Sequence, residues 1–124
     1  MQDGLILFAH GARDPSWAAP FEAVAQRVRQ ARPGQAVRLA YLECMTPSLV
    51  EAGAALVAEG CAQVLVLPMF LGTGGHVRKD LPVLLAQLQQ AHPAARFTLL
   101  GAIGEVDSVV AAMAQAAAAA LQEG

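Results

Sequence analysis

Cysteine is scarce in this chain: two residues in 124, Cys44 and Cys61. They form no Cys-x-x-Cys pair and are too few for a disulfide framework. Both are expected to be reduced thiols in the core. Excess charge of either sign is also missing. The formal net charge is −2, so no basic footprint points to nucleic acid. No uninterrupted apolar run reaches the ~18–20 residues of a membrane-spanning helix. The start, Met1-Gln2-Asp3-Gly4, lacks the positively charged n-region of a secretory signal. The expectation is a cytoplasmic protein with no nucleic-acid or membrane partner. No Gly-x-Ser-x-Gly elbow surrounds Ser16, Ser48 or Ser108, so these serines are expected to make local hydrogen bonds only.

The chain does have apolar residues in quantity, 56% against the ~45–50% usual for globular chains. Much of the excess is alanine near the C-terminus. The length suits one domain, residues 1–124, with a real core. Four short, nearly continuous apolar runs at 4–9, 36–42, 63–70 and 96–100 read as strands covered on both faces. Between them lie helical patterns. The first starts at Asp14-Pro15, an N-cap followed by a proline suited to N1. It repeats Trp17, Phe21, Val24 and Val28 at helical spacing and stops at Arg32-Pro33-Gly34. The second starts near Thr46-Pro47, buries Leu49, Val50, Leu56 and Val57, and ends at Gly60. The third starts near Asp80, carries Leu81, Leu84, Leu85 and Leu88 on one face, and closes at His92-Pro93. The fourth covers 106–122 with Val109, Val110, Met113 and Ala117 inward. Its alanine run, 116–120, is expected to pack closely against a neighbour or a partner subunit.

Alternating strand and helix, with connections of about 20 residues, predicts a parallel sheet with right-handed crossovers. The expected fold is a single flavodoxin-like α/β domain with strand order 2-1-3-4. A four-stranded sheet leaves two edges and a thin core, which favours a homodimer.

Three residues sit where strands run out into loops: His10, Glu43 and His76. In a parallel sheet those ends share one edge, where open α/β folds build their sites. A lone histidine there is an ordinary loop residue, and a lone glutamate is solvated. Converging, two imidazoles and a carboxylate suit a divalent transition metal. The run Leu71-Gly72-Thr73-Gly74-Gly75-His76 allows close backbone approach to a ligand. It is neither a Walker A sequence nor a dinucleotide fingerprint. It reads as a lid over a broad ligand, or as a hinge with none. Arg13, Arg78 and Lys79 flank the crevice and suit a polycarboxylate, or form a solvated surface. His92 reads as a residue at a helix C-terminus.

The segments His10-Gly11-Ala12-Arg13-Asp14-Pro15, Tyr41-Leu42-Glu43 with Pro47-Ser48-Leu49, and Pro68-Met69-Phe70-Leu71 with Gly75-His76-Val77 and Asp80-Leu81-Pro82 resemble the small sirohydrochlorin cobaltochelatases. These are short, single-domain members of the class II chelatases. The resemblance covers roughly residues 5–110. It implies half of a two-domain class II chelatase, paired as a homodimer. It further implies insertion of Co²⁺ into sirohydrochlorin, a tetrapyrrole, for cobalamin biosynthesis. His10 and His76 map to its metal-binding histidines and Glu43 to its acidic site residue. The divalent metal is a substrate, Co²⁺ first, with Ni²⁺ or Fe²⁺ as alternatives, and no organic cofactor is implied. Gly74 and Gly75, with Arg13, Arg78 and Lys79, are the expected tetrapyrrole contacts. Ala12 departs from the pattern, where serine is frequent. Whether Glu43 orients a histidine, ligates metal or takes a pyrrole proton stays open. So do a non-catalytic carrier and a purely structural domain. A histidine-phosphatase relationship is disfavoured, because Ala9 stands where that class places arginine.

Overall fold

The computed structural model describes residues 2–72 and 74–123, and covers only the backbone at Gln2, His76 and Glu123. Four strands, β1 (Gln2–Ala9), β2 (Ala36–Tyr41), β3 (Cys61–Pro68) and β4 (Arg96–Leu99), form one sheet. Its order is β2-β1-β3-β4 and every pairing is parallel, as the alternating pattern predicts. Four helices accompany it: α1 (Ala19–Ala31), α2 (Leu49–Ala58), α3 (Gly75–Ala91) and α4 (Asp107–Glu123). No helix among the described residues is long and apolar enough to cross a membrane.

Alternation along the central strands divides the core in two. Ile6, Phe8, Val64 and Val66 point to one face, where Leu49 and Leu56 of α2 and Leu81, Leu85 and Leu88 of α3 cover them. Leu7 and Val37 point to the other, against Ala25 and Val28 of α1. Phe8, Ile6, Leu56, Val64 and Val66 are fully buried. Each such side chain contributes about 1.5–3 kcal/mol of burial free energy.

Several helix starts differ from the sequence reading. Asp14 does cap, accepting from Ser16 N at 3.0 Å. The first turn it opens is a 3-10 turn (Pro15–Ala18), and α1 follows. Within α1, Ala25 is buried and Val24 is exposed, so the inward stripe runs through the small residue. The α2 cap is Ser48. Its hydroxyl accepts from Glu51 N and the Glu51 carboxylate accepts from Ser48 N, a complete capping box. Thr46-Pro47 precedes the helix and carries a cis bond. Val50 lies on the solvent side of α2, not in the core. Helix α3 begins at Gly75, one turn ahead of the expected start, and holds Pro82 in its interior. Internal proline costs a helix ~3 kcal/mol, which is why Asp80-Leu81-Pro82 reads as a start.

Two further expectations are overturned. Cys61 is buried but Cys44 is exposed, because it occupies a left-handed turn at φ 67° just beyond the β2 extension. The inward face assigned to the fourth helix does not exist within this chain. Val110, Met113 and Ala117 are exposed, and Val109 is half-buried. None of the three core clusters contains a residue of α4.

Candidate active site

The backbone ladder of β1 and β2 continues past both strands. Leu42 N donates to Ala9 O at 3.0 Å, and Glu43 N donates to His10 O at 3.1 Å. These bonds set His10 and Glu43 side by side at the carboxyl edge of the sheet. Met45 N then donates to Glu43 O at 2.8 Å, turning the chain sharply away. On the other side Gly11 makes the turn out of β1 at φ +93°, and a Cβ there would lie 1.9 Å from Glu43 O. Only glycine permits both that backbone angle and that approach.

The two side chains meet. His10 Nε2 lies 3.3 Å from Glu43 Oε1, and the side chains remain 52% and 59% exposed. The Phe70 ring stands edge-on to the imidazole, 6.2 Å between centroids, and itself packs on Phe8 at 6.0 Å. Phe70 is therefore a wall of the site that sequence reasoning did not single out. Its position straight after β3, beside the end of β1, is the signal that identifies it. Met69 N donates to Phe8 O at 2.7 Å, which brings the β3 exit alongside β1.

His76 occupies the first turn of α3, not a free loop. Its side chain, like Thr73 of the glycine-rich run, lies outside the described residues. Gly74 is the N-cap and brings no side-chain hydrogen bond to the helix start. Gly74 and Gly75 are exposed, as are Arg13, Arg78 and Lys79. Arg13 lies in the segment between His10 and the 3-10 turn. Arg78 lines a separate cavity of about 150 Å³ with Leu81, Leu99, Gly101 and Glu105, on the α3 side of the sheet. A larger cavity, about 600 Å³, lies on the α1–β2 side among Glu22, Arg29, Arg38, Tyr41 and Pro47. It includes neither His10 nor Glu43, so the histidine–glutamate pair belongs to an open edge. Among the described residues no three histidine, cysteine, aspartate or glutamate side chains cluster as a metal site. The described pair supplies one imidazole and one carboxylate. Such an N/O donor set is chemically suited to late first-row divalent ions that exchange ligands, and either group can accept a proton.

The CbiX family profile matches residues 4–120. The chain belongs to the CbiX family. Its curated relatives include proteins named sirohydrochlorin cobaltochelatase. One, from Methanococcus aeolicus, is 25% identical over 70% of this chain and 61% of its own length. Another, from Saccharolobus islandicus, is 33% identical over 66% of this chain and 62% of its own length. This CbiX chain thus spans little more than three fifths of the length of the curated relatives it matches. Among solved structures, a CbiX protein from Marinobacter aquaeolei VT8 superposes with a TM-score of 0.87. It is 29% identical and covers 98% of this chain and 99% of its own. The sirohydrochlorin chelatase SirB from Bacillus subtilis subspecies spizizenii, in complex with cobalt, superposes with a TM-score of 0.66 at 24% identity. It covers 80% of this chain and 42% of its own, which establishes shared fold. The architecture is that of the class II chelatase fold.

Proposed function

We propose that this chain is a sirohydrochlorin chelatase that inserts Co²⁺ into the macrocycle and releases two pyrrole protons. The observation that carries the reading is the His10 Nε2–Glu43 Oε1 contact at an exposed sheet edge, in a chain whose curated relatives are named for that activity. Insertion requires a metal that is held but still able to exchange ligands, beside a group that accepts protons. Imidazole and carboxylate meet the first need better than a closed thiolate cage. Either group can meet the second as proton acceptor, and the open edge lets a flat macrocycle approach.

His10 and His76 hold the incoming metal in this reading. Glu43 completes the set, as ligand, as orienting partner of His10, or as proton acceptor. General-base help of this kind is worth ~10²–10⁴-fold. Arg13, Arg78 and Lys79, with the backbone at Gly74 and Gly75, face the carboxylates of sirohydrochlorin. Ni²⁺ and Fe²⁺ fit the same donors, and the reaction uses no organic cofactor. The chain works in the cytoplasm as one 1–124 domain, paired as a homodimer that doubles it to the size of a two-domain chelatase.

The test is anaerobic incubation of the protein with sirohydrochlorin and Co²⁺, Ni²⁺ or Fe²⁺, followed by absorbance. Faster insertion than in protein-free buffer, fastest for Co²⁺, is the expected result. Tetrapyrrole or metal binding without faster insertion makes the chain a carrier.

A further inference from the structure

Metal insertion at the sheet edge leaves the largest cavity of the chain unused. Strand β2 is the outermost strand on its side of the sheet. Past its end the chain folds back along the outer edge, where Tyr41 N donates to Pro47 O at 2.9 Å. Helix α1, the β2 edge and this returning segment enclose about 600 Å³. Neither His10 nor Glu43 lines that space.

Tyr41 is the one buried residue of the lining, 5% exposed. It packs with Ala9 and Ala18, beside Phe21 and Leu39, on the α1 face where the cavity lies. Its hydroxyl has no hydrogen-bond partner among the described residues, and it keeps a surface open to the cavity. Burial, and then the Glu22 carboxylate, push the phenol above its ordinary 10.0. At neutral pH it is therefore uncharged, with an oxygen that accepts and a hydrogen that donates. A buried polar group in this position is ordinarily satisfied by a partner.

The cavity is polarised along its length. Glu22, Gln26 and Arg29 follow one another on one face of α1, at positions i, i+4 and i+7. Glu22 acts on Tyr41 at the end of β2, whereas Arg29 donates to Val37 O at 2.9 Å near its start. A carboxylate thus stands at one end and a guanidinium at the other, two helical turns or ~10 Å apart. Neither has an ion-pair partner among the described residues. Arg38, the second cation of the lining, is already paired with Glu59. Leu39 lies between the two ends and offers an apolar surface.

We infer that this cavity binds a small zwitterion, an ω-amino acid whose ammonium group donates to Glu22 and to the Tyr41 oxygen while its carboxylate accepts from Arg29. Charge-assisted hydrogen bonds of ~2.8 Å at each end leave ~5 Å between the two charged groups. That separation excludes an α-amino acid, whose charges are adjacent, and suits a chain of a few methylenes lying over Leu39.

The test titrates the full chain, without metal or tetrapyrrole, with γ-aminobutyrate and δ-aminovalerate. Calorimetry follows binding, and near-ultraviolet absorbance follows Tyr41, the chain's one tyrosine. Saturable binding that perturbs the tyrosine band is the expected result. Glycine, butyrate and butylamine should each bind ~10-fold more weakly or worse, since each lacks the span or one charge. Tyr41→Phe, which keeps the ring, and Arg29→Gln should each weaken γ-aminobutyrate ~10-fold with circular dichroism unchanged. Absence of saturable binding to the parent overturns the inference. So does butyrate or butylamine binding as tightly as γ-aminobutyrate, or parental affinity in either variant. Should a variant not fold, the comparison of probes on the parent chain still decides.

Discussion

His10 and Glu43 are placed against each other by backbone, not by their side chains. The Glu43 N to His10 O hydrogen bond of 3.1 Å extends the β1–β2 ladder one step past the sheet, and the 3.3 Å Nε2–Oε1 contact follows from it. Both side chains are more than half exposed. Replacing either with alanine should leave folding stability within about 0.5 kcal/mol, as for ordinary surface changes. Co²⁺ affinity by calorimetry should fall ~10–100-fold for each, the range for disturbing a ligand set. The double variant should lose less than the sum of the two, the signature of groups acting on one ion.

Gly11→Ala tests the same geometry through the main chain. The methyl must displace Glu43 O, 1.9 Å away, at a φ of +93°. A left-handed non-glycine residue alone costs ~1–2 kcal/mol, so denaturant unfolding should show a loss of at least about 2 kcal/mol. Weakened Co²⁺ binding should accompany it, although no side chain of the pair has changed.

The capping box at α2 makes a pH prediction. Hydrogen bonds from Ser48 hold the Glu51 carboxyl below its ordinary value of 4.5. A depressed folded-state value means that the stabilisation is present above the unfolded value. It is lost as the pH falls below about 4.5 and through the folded value. Glu51→Gln should therefore be less stable than the parent at neutral pH, with the gap closing in acid. Ser48→Ala should cost about 1 kcal/mol at neutral pH. Urea unfolding at several pH values checks both.

The two thiols should differ in reactivity. Cys44 is exposed. Cys61 is buried, and desolvation together with the nearby Glu59 and Asp3 carboxylates pushes its thiol above the ordinary 9.0. Thiolate is the reactive form, so a thiol reagent should modify one site per native chain rapidly and two after denaturation.

Sheet order and the His10–Glu43 pairing were legible because both depend on strand period. Apolar runs ending at Ala9 and at Tyr41-Leu42 lie in adjacent parallel strands, which forces the next residues together. Helix starts were less legible where two signals compete. Pro47 and Pro82 each look like a first helical residue, yet Ser48 with Glu51 is the working cap, and Pro82 lies inside α3. The place of Phe70 just past β3 follows from the strand pattern, but its contact with His10 joins segments about 60 residues apart and comes only from the folded sheet. The face of α4 was misread because its periodicity assumes a core in the same chain. Periodicity reports that a helix has an apolar side, not which molecule covers it.

The most direct test compares the initial rate of anaerobic Co²⁺ insertion into sirohydrochlorin for the parent chain, His10→Ala, Glu43→Gln and His76→Ala. The parent should exceed the protein-free rate, and each histidine variant should lose ~10²-fold or more, with far-ultraviolet circular dichroism unchanged. Parental rates in both histidine variants would contradict the assignment of this sheet edge as the site of metal insertion.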